Sequence, residues 1–182
     1  MSDTAIQPLI EEREISKRVN ELAAEISEAY RQVDEILLIG VLRGAFIFLA
    51  DLSRRLTVRR RVDFIALASY DDGTERADAV RLIMDLRSDI RDRHVLIVED
   101  IVDTGHTLEY LMKSLSARKP ASLRSCVLVR KPTRHEVPVH IDYLGFEIPD
   151  LWVVGYGLDY ADQHRTLPYI GVLEMTQSAV DG

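Results

Sequence analysis

The sequence predicts an α/β domain: a mainly parallel sheet with helices on both faces. Two observations predict it. Short β-branched apolar runs alternate with stretches of helical period. The clearest of those runs, Ile36–Val41 and Val95–Val98, are continuously apolar rather than alternating, the signature of strands buried on both faces. With 182 residues, the chain is expected to form a single domain over 1–182. Its core is placed at about 34–173 and a loose tail at 175–182.

In order along the chain, apolar residues at Ile15, Val19, Leu22, Ile26 and Tyr30 step by three and four, predicting an amphipathic helix over Glu11–Tyr30. Ile36–Val41 is long enough for a buried strand and too short for a helix. Gly44 marks the turn after it, and Ala45–Leu56 predicts the next helix. Arg59–Arg61 reads as a solvated edge before a strand at Val62–Tyr70. Asp71–Asp78 is polar, carries Gly73 and predicts a loop, with a returning strand at Val80–Leu86. After the strand Val95–Val98, Thr104–Arg118 predicts a helix ending before Pro120, and Leu123–Val129 a further strand. Short strand-like pieces follow at Ile141–Phe146, Trp152–Val154 and Tyr169–Leu173.

Composition narrows the classes of function. A net charge of −7 argues against a general nucleic-acid binder. No apolar run approaches the ~18–20 residues that span a bilayer, so no membrane partner is expected. Met1–Gln7 lacks the basic-then-apolar pattern of a secretory signal. The lone Cys126 sits in a strand pattern and reads as a buried hydrophobe, and a reducing, cytoplasmic setting is expected. His94, His135, His140 and His164 show no metal-ligand spacing.

Ligands in parallel α/β sheets bind beyond the carboxyl ends of the strands. The informative stretch there is Val95–Leu108, in which four apolar residues run into Glu99 and Asp100, then Asp103, then Thr104-Gly105-His106-Thr107 opening a helix. Adjacent carboxylates at a strand end repel each other and help no core. Taken singly, Asp103 or Thr104 reads equally well as a helix N-cap. Together the residues suit a ribose phosphate. Backbone N–H groups and two hydroxyls at a helix N-terminus meet the phosphate, and Gly105 lets the backbone approach. Glu99 and Asp100 suit vicinal ribose hydroxyls or magnesium. Neither a Walker A loop nor a G-x-G-x-x-G fingerprint is present.

The run Val95–Leu108 resembles the 5-phosphoribosyl-1-diphosphate (PRPP) signature of the type I phosphoribosyltransferases. Leu144–Tyr160 is similar to the 6-oxopurine branch of that family, the hypoxanthine and hypoxanthine-guanine enzymes. The similarity extends from about Ile36 to Leu173. It implies the type I phosphoribosyltransferase fold, with a small hood built from the C-terminal segment and the N-terminal region. The implied reaction is purine salvage: hypoxanthine or guanine plus PRPP gives IMP or GMP and pyrophosphate. It implies Mg2+ and an oxocarbenium-like transition state, with Asp103 as the proton acceptor.

The resemblance also distributes roles. Glu99, Asp100, Asp103, Thr104, Gly105, His106 and Thr107 correspond to the ribose and 5′-phosphate site. Leu42, Arg43 and Gly44 correspond to the pyrophosphate loop, with a cis peptide expected between Leu42 and Arg43, and Arg165 meets pyrophosphate from the other side. Lys131, Trp152, Val153 and Asp159 correspond to the purine site, Lys131 donating to the 6-oxo group and Trp152 stacking on the ring. Metal contacts fall on Glu99, Asp100 and Asp159, and Ser69-Tyr70 begins a lid. Apart from the resemblance, Lys131 beside Arg130 is an ordinary solvated pair, Trp152 an ordinary core aromatic, and Asp159 and Arg165 surface charge. Arg43 and His106 stand where relatives often carry Lys, and the lid segment Asp71–Arg76 is unusually acidic.

Two other readings remain open at the level of sequence: a PRPP-sensing regulator that binds nucleic acid, and a sister transferase acting on xanthine or uracil. The negative charge and the retained Asp103 weigh against the first. Lys131 and the Trp152–Asp159 run weigh against the second. Members of the family form homodimers or homotetramers, and Phe46 and Phe48 are the candidate interface residues.

Overall fold

A computed structural model describes residues 6–70, 79–134 and 136–174. The expected loop at 71–78, His135 and the tail at 175–182 lie outside the described residues.

Strand β1 (Ile6–Ile10) precedes helix α1 (Glu12–Ala29). The Glu14 carboxylate accepts the Glu11 backbone N–H at 3.0 Å and so satisfies one donor at the start of α1. Ile15, Val19, Leu22, Ala23 and Ile26 form its buried stripe. Strand β2 (Ile36–Leu42), helix α2 (Phe46–Arg55), strand β3 (Arg60–Tyr70) and strand β4 (Ala79–Met84) follow. Then come β5 (His94–Val102), α3 (His106–Ser116), β6 (Ser122–Arg130), a 3₁₀ turn at Pro132–Arg134, β7 (Tyr143–Glu147), β8 (Val153–Val154) and β9 (Ile170–Leu173).

Six strands form one sheet in the order β4-β3-β2-β5-β6-β7. Every neighbouring pair is parallel except β3 with β4. One face is covered by α1 and α2, whose Leu22, Ile26, Phe48 and Leu52 pack on Ile36, Leu38, Leu96 and Val98. The other is covered by α3, whose Leu108, Leu111 and Leu115 pack on Leu37, Ile39, Val95 and Ile97. Alternate residues of β2 and β5 thus serve opposite cores, which is why both strands are apolar throughout. A second, antiparallel three-stranded sheet, β1-β9-β8, joins the N-terminal and C-terminal segments. No helix among the described residues is long and apolar enough to cross a membrane.

The structure differs from the sequence expectation in four places. Strand β1 was not foreseen. Strand β3 starts at Arg60, so the basic run is partly strand, its backbone paired with Ile36 and Leu37 of β2. Helix α3 starts at His106 rather than Thr104, because Gly105 at its cap takes φ 98°, a left-handed turn no helix continues through. Phe48 is fully buried between helix and sheet, which removes it as an interface candidate; Phe46 remains exposed.

Candidate active site

The chain leaves β2 toward β3 on one side, and β5, returning to pair with β2 on its other side, leaves toward β6. The loops after β2 and β5 therefore part at the switch point of the sheet and leave a crevice between them. Sequence-predicted residues cluster there.

On one wall, β2 ends at Leu42, and a cis peptide joins Leu42 to Arg43. Gly44 follows where a Cβ would collide with the Asp100 carboxylate, so the turn lies flat on the end of β5. Across the crevice, Arg165 Nη2 meets Asp159 Oδ1 at 2.8 Å and Asp162 Oδ1 at 2.9 Å. Arg43 Nη2 reaches the same Asp162 oxygen at 2.9 Å, so one carboxylate bridges two guanidinium groups. Arg43, Gly44, Asp100, Thr107, Asp159 and Arg165 line a cavity of about 200 Å³. It adjoins a more open groove of about 730 Å³ that shares Arg43, Asp159 and Arg165.

The second wall is the end of β5, the loop after it and the first turn of α3. Glu99, Asp100, Asp103, Thr104, Gly105 and Thr107 line a cavity of about 190 Å³. Gly105 is required there twice over: by its φ, and because a Cβ would sit 2.6 Å from the Val137 carbonyl oxygen. His106 opens α3, its Nε2 3.2 Å from Glu136 Oε2. Glu99 is buried and its Oε2 has no hydrogen-bond partner among the described residues. Burial, reinforced by the neighbouring Asp100 charge, holds the Glu99 carboxyl well above the usual range. Burial also raises Asp100, to about 6, against the opposing pull of backbone N–H groups and Arg165.

The third group follows β6. Lys131 is only 4% exposed, so it is no solvated partner of Arg130. Its Nζ lies 3.4 Å from Asp150 Oδ1 and 3.8 Å from Asp103 Oδ2. It also lies 5.9 Å from the centroid of the Trp152 ring. Trp152 is 56% exposed and therefore no core aromatic; Tyr160 meets it edge-on at 6.0 Å. Val153 is buried in β8, paired with Val172, while the Trp152 carbonyl accepts the Leu173 N–H. A shelf of exposed ring, a buried ammonium and a carboxylate thus stand together.

Asp100 and Thr107 face the first cavity and the second, which joins the loops after β2 and β5 into one site. Asp159 faces the first cavity and Glu99 the second. Ser69 and Tyr70 end β3, paired through their backbones with Val80 and Ala79. Sequence reasoning missed Arg134, Asp150 and Asp162. Arg134 and Asp150 meet partners distant in sequence, and Asp162 joins its near neighbour Arg165 to the distant Arg43.

The family model for the phosphoribosyl transferase domain matches residues 9–161. The chain belongs to the phosphoribosyltransferase family. Within it, the similarity is to hypoxanthine and hypoxanthine-guanine phosphoribosyltransferases. The hypoxanthine phosphoribosyltransferase of Haemophilus influenzae is 46% identical over 168 residues, 91% of this chain and 94% of that one. The hypoxanthine-guanine phosphoribosyltransferase of Mycobacterium avium is 46% identical over 171 residues, covering 91% and 84%. Among solved structures, hypoxanthine phosphoribosyltransferase from Trypanosoma cruzi superposes with a TM-score of 0.89 at 42% identity, covering 96% of this chain and 94% of that one. A hypoxanthine-guanine phosphoribosyltransferase from Bacillus anthracis gives 0.88 at 38% identity, covering 94% and 100%. The chain is thus a phosphoribosyltransferase enzyme, and the mainly parallel α/β sheet is the fold of that family.

Proposed function

We propose that this phosphoribosyltransferase makes IMP or GMP by joining N9 of hypoxanthine or guanine to C1 of PRPP, with release of pyrophosphate. The observation that carries the reading is Lys131, a nearly buried ammonium beside the exposed Trp152 ring and the Asp103 carboxylate. A buried cation with incomplete partners suits a 6-oxo acceptor and discriminates against a 6-amino group, which would present donors to a donor. Trp152 offers its face to the purine, and the Trp152–Val153 backbone lies at the base edge.

The remaining walls suit PRPP. Thr104, Gly105, His106 and Thr107 offer hydroxyls and helix N-terminal N–H groups to the 5′-phosphate. The partnerless Glu99 oxygen would accept a ribose hydroxyl. Arg43 and Arg165, bridged by the Asp162 carboxylate, are the cations suited to pyrophosphate, with Leu42 and Gly44 supplying backbone. As the C1–oxygen bond breaks, positive charge develops on the ribose, and the carboxylates beneath it favour that charge. Asp103, 3.8 Å from the Lys131 ammonium that would meet the base, takes the proton the purine gives up.

Mg2+ is proposed as the cofactor. No group of three or more His, Cys, Asp and Glu among the described residues is arranged to cage a metal. One or two carboxylates plus substrate oxygens suit this hard cation, and Glu99, Asp100 and Asp159 are carboxylates of that kind. When bound with PRPP, Mg2+ supplies neutralisation of the departing pyrophosphate.

Ser69 and Tyr70 are proposed as the root of a lid that excludes water, and the β1-β9-β8 sheet as a hood over the base. A homodimer or homotetramer in the cytoplasm completes the reading, with exposed Phe46 as an interface candidate.

The test supplies purified protein, Mg2+ and PRPP with hypoxanthine, guanine, xanthine, adenine or uracil separately. IMP and GMP are the expected products, with adenine inert. Product from xanthine or uracil alone would overturn the base assignment. No product from any base, with PRPP bound, would favour a PRPP-sensing protein instead.

A further inference from the structure

Four charged side chains meet at the base side of the site, and their distances are unequal in an informative way. Lys131 is the inner one, its side chain 6% exposed against 37% for Asp103, 42% for Arg134 and 49% for Asp150. A buried ammonium is tolerated only when paired. Yet its distances of 3.4 Å to Asp150 and 3.8 Å to Asp103 both exceed the ~2.7–2.9 Å of a settled charge-assisted hydrogen bond. Lys131 is shared between two carboxylates and bound tightly by neither.

Arg134 accounts for this sharing. Its Nε lies 3.4 Å from Asp103 Oδ1, the oxygen opposite the one facing Lys131, and its Nη1 lies 3.8 Å from Asp150 Oδ1. Each carboxylate thus has two cations, and each cation two carboxylates. The 3₁₀ turn holds Arg134 in register: the Lys131 N–H bonds to the Val102 carbonyl at 3.0 Å, and Glu136 and Val137 donate to the Thr104 carbonyl.

We infer that Arg134 is a positioning residue for the transfer, and that Asp150 is the resting partner of Lys131. This inference rests on the proposed function. Arg134 faces Asp103 from its far side at ion-pair distance, against an oxygen that no hydrogen bond holds among the described residues, and shares its charge, which leaves Lys131 free to exchange Asp150 for a purine oxygen. Without Arg134, one ammonium faces two carboxylates and is drawn fully onto them. The same loss then removes the donor to the base and blocks the acceptor of its proton. A planar guanidinium spans two carboxylates where a point charge holds one.

Steady-state kinetics of Arg134→Gln, Arg134→Lys, Asp150→Asn and the double variant Arg134→Gln/Asp150→Asn test this. Arg134→Gln is expected to lower kcat about tenfold and raise KM for hypoxanthine about tenfold. KM for PRPP and the thermal midpoint stay close to those of the unsubstituted chain, since Arg134 is partly exposed and pairs with Asp103 and Asp150, not with the Asp159 and Asp162 that hold Arg43 and Arg165. Arg134→Lys recovers part of kcat. The double variant falls no further than the worse single one, because both losses act through the Lys131–Asp103 pair. Unchanged constants in Arg134→Gln, equal rises in both KM values, or a loss that tracks a lowered midpoint would each overturn the inference while leaving the proposed function intact. An unsubstituted chain that makes no nucleotide from any 6-oxopurine overturns both.

Discussion

Gly157 lies against the backbone of Gly44 so closely that a Cβ on it would overlap the Gly44 carbonyl oxygen. The two residues come from opposite ends of the chain, the turn after β2 and the turn after β8. Their contact brings the Arg43 and Arg165 guanidinium groups to one carboxylate, because Arg165 Nη1 itself bonds to the Gly157 carbonyl at 2.9 Å. Gly157 also takes φ 105°, so both backbone conformation and space demand glycine.

Gly157→Ala is therefore expected to destabilise the fold by about 2–4 kcal/mol, combining left-handed strain with a backbone clash. The larger effect should fall on PRPP, since the displaced turn carries Asp159 and Arg165 away from Arg43. Urea unfolding and PRPP titration check this. Hypoxanthine affinity weakened as strongly as PRPP affinity would show that the contact supports the whole site, not the anion wall.

Asp103→Asn keeps the shape of the side chain and removes its capacity to take a proton. Turnover is expected to fall by about 10²–10⁴, the range of general-base catalysis. Single-turnover measurement of nucleotide formation isolates the step. Undiminished chemistry would show that Asp103 serves only as a partner of Arg134 and Lys131.

The two central strands were legible because each is buried on both faces, and helix α1 because its apolar stripe has one period. Strand β1 was not: Pro8 and a single antiparallel partner leave it little pattern of its own. The start of α3 differs because Asp103 and Thr104 are good caps by type, while Gly105 holds the cap by conformation. Local sequence alone makes Lys131 exposed and Trp152 buried, and the structure reverses both. Only the family resemblance, at Lys131 and over Leu144–Tyr160, gave both residues a place in the site. Arg134, Asp150 and Asp162 were invisible for a simpler reason, since a loop charge shows its meaning only beside partners that folding supplies.

Trp152→Ala is expected to leave stability nearly unchanged, because the ring is mostly in solvent. Stacking of a base on an aromatic ring is worth about 1–3 kcal/mol. Hypoxanthine affinity should accordingly drop about 5- to 150-fold, while PRPP affinity holds. Calorimetric titration of each ligand separates the two. Equal losses for both would mean that Trp152 shapes the loop and does not receive the base.

Acid sensitivity is expected to run through α2. The Tyr156 hydroxyl donates to Asp51 Oδ2 at 2.6 Å and ties the turn after β8 to that helix. Burial pushes the Asp51 carboxyl up, but Tyr156, Arg54 and Arg55 together hold it below its ordinary value. Burial and the Asp51 charge push the tyrosine up, so its proton stays in place through neutral pH. A depressed folded-state pKa gives stability that is present above the ordinary carboxylate value and lost as pH falls through the folded one. Tyr156→Phe removes one of the depressing contacts and should cost about 1.5–3 kcal/mol at pH 7, as for a hydrogen bond to a charged group. As pH falls below the ordinary carboxylate value and through the depressed folded one, Asp51 takes up its proton, and the gap should narrow toward that of a neutral hydrogen bond. Urea midpoints measured at neutral and acid pH read the gap directly. A difference independent of pH would assign the effect of Tyr156 to packing rather than to the Asp51 charge.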